Sequence, residues 1–253
     1  MTEATTLSAQ QSDGSLAGQV VVVIGGSSGI GLETARQARA AGAQLVLTGR
    51  SRERLGHAAT EIGAVSTAML DLRDPVRLER VFAGLPARLD HVLVSGGGPF
   101  YSPIADLDFD EALRVLDEHL IGSLRIAGLC RGRVRPGGSL TLITGTHARR
   151  PGIGLSLAAI SAAAVPAIAA NAAVELAPIR VNAIAAGFVD TPLSASLLGN
   201  QIEDRRAQLR ATLPIRRVVG PGDVATLAVQ LMTNTALTGA TYDVDGGQQL
   251  IPG

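Results

Sequence analysis

The chain has 253 residues, 46% of them hydrophobic but only 2% aromatic, with no tryptophan. That length holds one α/β domain with a substantial core, which this composition must build from Ala, Val, Leu and Ile. Twenty-two basic and 22 acidic residues cancel, so no basic stripe points to nucleic acid or to an anionic membrane.

The first dozen residues, rich in Thr, Ser, Ala and Gln, carry neither the basic nor the apolar region of a signal peptide. Residues 1–15 are therefore expected to form a disordered tail, followed by one domain over residues 16–253. Val20–Ile24 is a continuous β-branched run, the pattern of a strand buried on both faces. A glycine-rich turn, Gly25-Gly26-Ser27-Ser28-Gly29-Ile30-Gly31, leads into an Ala-rich helix over residues 32–41 that stops at Gly42. Residues 45–48 predict a second strand, and a helix after Ser51 carries Leu55 and Ile62. A third strand over 65–70 ends at Asp71, and a helix over 75–82 precedes a fourth strand at 92–94. Residues 109–130 predict one long amphipathic helix, and 140–143 a fifth strand. An Ala-dominated stretch over 155–176, a strand at 179–184, helical segments to Thr235 and a last strand at 242–244 complete the chain. No repeat, linker or second domain interrupts this alternation, which predicts right-handed crossovers and a parallel sheet covered on both faces.

Pro166 falls inside the Ala-rich helical pattern and deprives the Ala162 carbonyl of its donor. Either a kink or a helix broken in two is expected there. No uninterrupted apolar run reaches the ~18 residues of a membrane span. Cys130, alone, cannot form an internal disulfide. It reads as a buried thiol in a reducing compartment, and a cytoplasmic location is expected.

The glycine turn follows a buried strand and opens a helix, which is where a dinucleotide's pyrophosphate needs it. Gly25 permits the tight turn, Gly29 removes a Cβ where backbone approaches phosphate, and Gly31 lets the helix pack close to the sheet. The helix N-terminus adds free N–H groups and partial positive charge. The second strand ends in Thr48-Gly49-Arg50-Ser51-Arg52-Glu53-Arg54, without the acid that NAD sites place on the ribose hydroxyls. Arg50 suits the 2′-phosphate of NADP(H); the alternative is a solvated helix start.

These residues resemble the short-chain dehydrogenase/reductase family from about Leu16 onward. The spacing Gly25-x3-Gly29-x-Gly31 is similar to its glycine signature, Asp71-Leu72 to its adenine-side acid, and Ser95-Gly96-Gly97-Gly98 to the segment after its fourth strand. The stretch from Arg180 to Pro192, with Gly187, Val189 and Thr191, looks like the sixth strand and nicotinamide-side loop, with Ala186 in place of a usual Pro. Thr238-Gly239-Ala240 and Asp245-Gly246-Gly247 look like the closing strand. The resemblance implies a Rossmann-type doubly wound parallel sheet of about seven strands, helices on both faces, a nicotinamide cofactor and a homo-oligomer, dimer or tetramer. It also implies that Ser27, Ser28, Ile30 and Ser51 join the glycines and Arg50 around that cofactor.

The family's catalytic positions are different here. Its Ser falls on Gly145, its Tyr on Ala158 and its Lys on Ala162, while its supporting Asn falls on or near His119. The usual alcohol–ketone mechanism is therefore not carried over, and losing a general acid costs roughly 10²- to 10⁴-fold in rate. His147, just past the fifth strand, is a candidate acid or a solvated loop histidine. His119 is a candidate for the same cavity or a core histidine bonded to backbone, and Tyr101 a candidate donor or a pocket wall. Arg149 and Arg150 suit an anionic substrate or form a solvated pair, and Asp117 and Glu118 read as exposed helix acids. No metal site is expected. Three functions remain open: an NADPH-dependent reductase of a pre-activated small electrophile, a carbonyl reductase with a relocated acid, or a silent NADP-binding sensor or scaffold.

Overall fold

Residues 15–251 are described by a computed structural model, so the tail expected over residues 1–15 lies almost wholly outside the described residues. Val20–Ile24 (β1) sits within a seven-stranded sheet with Gln44–Gly49 (β2), Ser66–Met69 (β3), Leu89–Val94 (β4), Val134–Gly145 (β5), Arg180–Ala186 (β6) and Thr241–Val244 (β7). The order is β3-β2-β1-β4-β5-β6-β7, and every neighbouring pair is parallel. Side chains alternate across a strand, so β1 feeds two cores. Val21 and Val23 pack with Gly29–Ala40 (α1), Arg52–Ile62 (α2) and, further along the chain, the last long helix at 221–233. Val22 and Ile24 pack with Pro75–Gly84 (α3) and with helices at 122–130 and 156–175. Each such fully buried aliphatic stabilises the fold by about 1.5–3 kcal/mol. The doubly wound sheet is thus the predicted one.

Three boundaries differ from expectation. β5 is twelve residues long, beginning at Val134 rather than near Leu140. Pro136-Gly137-Gly138 hid its first half, and a register shift opposite Leu89 and His91 absorbs those residues. The long helix is divided: Phe109–Leu116 (α4) and Gly122–Cys130 (α5) flank a π-helical turn at Asp117–Ile121. Ser156–Glu175 (α6) runs unbroken through Pro166, so the two-helix expectation is corrected. Val165, Ala169 and Ala172, buried on both sides of Pro166, hold the two halves on the sheet. Among the described residues α6 is the one helix long and apolar enough to cross a membrane, with mean hydropathy 1.8, yet it docks on β5 and β6. Pro192–Leu198 (α7), Ile202–Thr212 (α8) and Pro221–Thr233 (α9) complete the helices. Cys130 is a free, buried thiol, pushed up to about 12 by its apolar surroundings.

Candidate active site and cofactor cleft

The glycine turn leaves β1 where the strand order reverses, between β1 and β4, the crevice where open α/β sheets bind ligands. Gly25 adopts φ +86°, and a Cβ there would come within 2.8 Å of the Ser95 and Gly96 backbone. A Cβ on Gly31 would collide with the Gly25 carbonyl. Ser28 opens α1 in extended conformation without a side-chain cap, and no acid occupies the first turn. The leading N–H groups of a twelve-residue helix therefore have no side-chain acceptor and fit a phosphate.

Ser27 lies against the end of β2, its Oγ 3.0 Å from where a Cβ on Gly49 would be. Arg50, next in the chain, is exposed and among the described residues joins no ion pair. Ser51 accepts from the Arg54 N–H at 3.3 Å and caps α2, so its hydroxyl has a structural duty. Asp71 follows β3 and accepts from the Arg73 N–H at 3.1 Å. Thr191 caps α7, and its methyl faces Gly29.

A cavity of about 680 Å³ extends from this turn across the C-terminal edge of the sheet. Ser28, Gly29, Ile30, Leu72 and Ser95 line its wall nearest the glycine turn, with Gly96, Gly97, Gly187, Val189 and Thr191. Gly25, Ser27, Gly31, Arg50, Ser51 and Asp71 are not among its lining residues. Gly145 at the end of β5 and Ala158 and Ala162 on α6 line it together with Tyr101, His119 and His147.

His147 begins a short 3-10 turn, His147–Arg149, and its ring folds back over Gly145. A Cβ on Gly145 would lie 2.5 Å from Nδ1 and 2.9 Å from Cε1, so the bare backbone there is what admits the imidazole. His147 Nε2 is 2.9 Å from Tyr101 Oη, and the rings meet at 56° with centroids 5.6 Å apart. Burial moves both groups toward neutrality, raising the Tyr101 phenol and lowering the His147 imidazole. A neutral phenol and a neutral imidazole thus share one hydrogen bond near pH 7.

His119 sits in the π turn, with Nε2 3.1 Å from the Gly98 carbonyl oxygen. It is bonded to backbone and also lines the cavity, which joins the two readings the sequence left open. Such turns recur at functional sites because they re-aim one side chain out of helical register. Glu118, expected to be an exposed acid, is buried and takes the Arg73 Nε–H at 2.8 Å. Arg149 is paired with Asp243, and Arg150 donates to the Gln249 carbonyl at 2.6 Å and to that of Ile251. Arg149 stays exposed while it pairs with Asp243, so only Arg150, partly covered by the C-terminal segment, departs from the solvated-pair expectation.

Two lining residues carried no sequence signal. Ser161 on α6 is buried, and its Oγ has no hydrogen-bond partner; it reads as one small residue in an Ala-rich run. Arg205 on α8 is indistinguishable in sequence from Arg206 and Arg210 around it. Among the described residues no three His, Cys, Asp or Glu side chains are grouped to hold a metal.

The profile of the family described as Enoyl-(Acyl carrier protein) reductase matches residues 24–249. The chain belongs to the short-chain dehydrogenase/reductase family. A short-chain dehydrogenase/reductase of Malbranchea aurantiaca, malC, is 27% identical over 93% of this chain and 96% of its own length. The solved structure of that organism's MalC Reductase/Diels-Alderase superposes with TM-score 0.88, covering 95% of this chain and all of that one at 27% identity. A 3beta-hydroxysteroid dehydrogenase of Eggerthella lenta is 31% identical over 94% of this chain and 96% of its own. A small-chain dehydrogenase solved in complex with NADPH matches at TM-score 0.78 and 27% identity, over 92% of this chain and 99% of that one. Short-chain dehydrogenases/reductases are oxidoreductases of small molecules that use a nicotinamide cofactor, and this chain has their sheet, crossovers and glycine turn.

Proposed function

We propose that the protein is an NADP(H)-dependent oxidoreductase that transfers hydride to a small carbonyl, imine or other activated electrophile. It does so without the family's usual Tyr and Lys. The observation that carries this reading is the His147–Tyr101 hydrogen bond, seated over Gly145 inside the cavity. The NADPH complex of the similar small-chain dehydrogenase supports the cofactor class, and the exposed Arg50 just past β2, which joins no ion pair among the described residues, supports the 2′-phosphate.

A bound nicotinamide supplies the hydride. The glycine turn and the α1 N-terminus would hold the cofactor's phosphates, and Ser28, Ile30 and Thr191 line the cavity at that end. Tyr101 presents its phenolic proton to the oxygen of a carbonyl substrate, and the His147 Nε2–H tautomer steadies the phenolate left behind. Solvent then reprotonates the pair from the cavity mouth, where Tyr101 is 45% exposed. An iminium carbon needs no such proton, so for that substrate the chain contributes positioning and exclusion of water.

The test is NADPH consumption against matched ketone, iminium and quinone panels. Turnover of at least one class is expected, with His147→Ala and Tyr101→Phe each slowing ketones by about 10²-fold and iminium ions far less. Silence on all panels despite NADPH binding overturns the enzymatic reading in favour of a sensor or scaffold. Arg50→Ala should weaken NADPH about tenfold or more while sparing NADH; equal losses would refute the NADP assignment.

A second reading draws on MalC, described as a reductase and Diels-Alderase. A cycloaddition requires a shaped apolar cavity and no proton donor, and Ala158 and Ala162 leave room for one. We also propose self-association, as the family resemblance implies.

A further inference from the structure

We propose that Arg205 is a substrate-recognition residue, and that the cavity takes an apolar small molecule bearing a carboxylate or similar anionic group. This rests on reading the cavity as the substrate site, and it goes beyond the reaction itself.

The outer wall of the cavity comes from α7 and the loop before it and is mostly apolar, with Phe188, Leu193, Leu197 and Leu198 around Thr191 and Ser194. Arg205 enters that wall from α8, its guanidinium carbon 5.8 Å from the centroid of the Phe188 ring. The residue is half-buried, yet among the described residues no carboxylate lies within 4.0 Å of it. Its one side-chain hydrogen bond runs from NH1 to Gln208 Oε1 at 2.7 Å. Its neighbour Arg206 takes both nearby acids, Asp190 and Glu203. Partial burial of a guanidinium that has no anionic partner disfavours its charge, and burial accordingly lowers the Arg205 pKa.

The other charges on the cavity wall do not offset it. Glu118 is neutralised by Arg73, and Arg150 is spent on the carbonyls of Gln249 and Ile251. Arg150 is a second cation on the cavity wall, but its donors are engaged by those carbonyls, whereas Arg205 sits among the leucines of the outer wall with most of its five donors free. That combination selects an apolar body with a planar anionic end, which a guanidinium meets with two parallel hydrogen bonds. The aromatic face of Phe188 keeps the fork oriented meanwhile.

The test uses the full-length protein with saturating NADP⁺ and two fluorescent probes of like size. One is the anion 8-anilinonaphthalene-1-sulfonate, the other neutral N-phenyl-1-naphthylamine. Arg205→Met should weaken the anionic probe about tenfold, the scale of one charge-assisted bond, and leave the neutral one within about twofold. Arg205→Lys should restore most of the difference, and decanoate, unlike decanamide, should displace the anionic probe. In the unaltered protein, raising salt from about 0.05 to about 0.5 M should weaken the anionic probe selectively, an arm that needs no variant to fold. Equal loss of both probes would make Arg205 a wall-shaping residue, and loss of NADP⁺ affinity in proportion would assign it to the cofactor. Either outcome overturns the proposal, as does an anionic probe indifferent to Arg205 or to decanoate. None of these readouts requires turnover, so a silent substrate panel and a failed probe test remain distinguishable.

Discussion

At position 145 a missing side chain matters more than most side chains present. The His147 ring occupies the space that a Cβ on Gly145 would claim, so the glycine and the imidazole form one feature. Gly145→Ser should push the ring off Tyr101 and lower ketone turnover to the level of His147→Ala, about 10²-fold, with thermal stability little changed. Because His147 and Tyr101 act through one hydrogen bond, the double variant His147→Ala/Tyr101→Phe should be no slower than either single one. Additive losses would mean that the two residues work separately. A different histidine links the stability of the fold to pH. His91 on β4 is buried, with Nδ1 2.8 Å from Ser139 Oγ and Nε2 2.8 Å from Gln19 Oε1. Burial first, then Arg135 and Arg180, lowers its pKa from the ordinary 6.5 to about 4. The unfolded chain takes up this proton near pH 6.5 and the folded chain only near pH 4. Stability is therefore complete above about pH 6.5 and falls by up to about 3 kcal/mol as the pH drops to 4. Urea midpoints between pH 7.5 and 5 should decline accordingly, and His91→Gln should flatten that slope.

At the scale of elements, packing overrides local chemistry in two helices and one strand. α6 keeps its course through Pro166 because its small buried face is seated on β5 and β6. The π turn between α4 and α5 brings Glu118 and His119 out of the register that a heptad-like reading assigns them. No periodicity argument finds such a turn, since it adds a single residue to an otherwise helical pattern. β6 carries the most heavily used side chain of the sheet. Arg180 is buried and donates to the carbonyls of Leu231, Met232, Asn234 and Leu237, closing the C-terminal end of α9 onto the strand. A cation there also complements the helix dipole. Arg180→Met leaves those carbonyls without their donor in a buried setting and should cost about 3 kcal/mol or more. A melting temperature within 2–3 °C of the unaltered protein, about 1 kcal/mol at this size, would show that water replaces the guanidinium without loss.

At the scale of the whole molecule, exposed apolar side chains on the described surface support the self-association proposed above. Phe109 and Leu113 on α4 are 69% and 66% exposed, and Ile121, Leu124, Ile160 and Val174 add to the faces of α4 to α6. Patches of this kind mark association surfaces. Light scattering should give a dimer or tetramer of the 25.9 kDa chain, and Leu113→Glu with Leu124→Glu should reduce it to the protomer. An unchanged assembly in that variant would place the interface elsewhere.

The sequence by itself determined the layered fold and the cofactor-side turn, because both rest on local rules. β-branched runs make buried strands, Gly42 ends a helix, and Gly25, Gly29 and Gly31 are read at short spacing along one stretch of chain. The position of Arg50, the first residue past β2, was legible for the same reason. The tertiary structure decided what those rules do not reach. Tyr101 and His147 are 46 positions apart, and only the convergence of the β4 and β5 ends brings their polar atoms together over Gly145. Glu118 became a buried partner of Arg73, and Arg205 came to line a cavity beside Phe188, through contacts between elements that no linear pattern encodes.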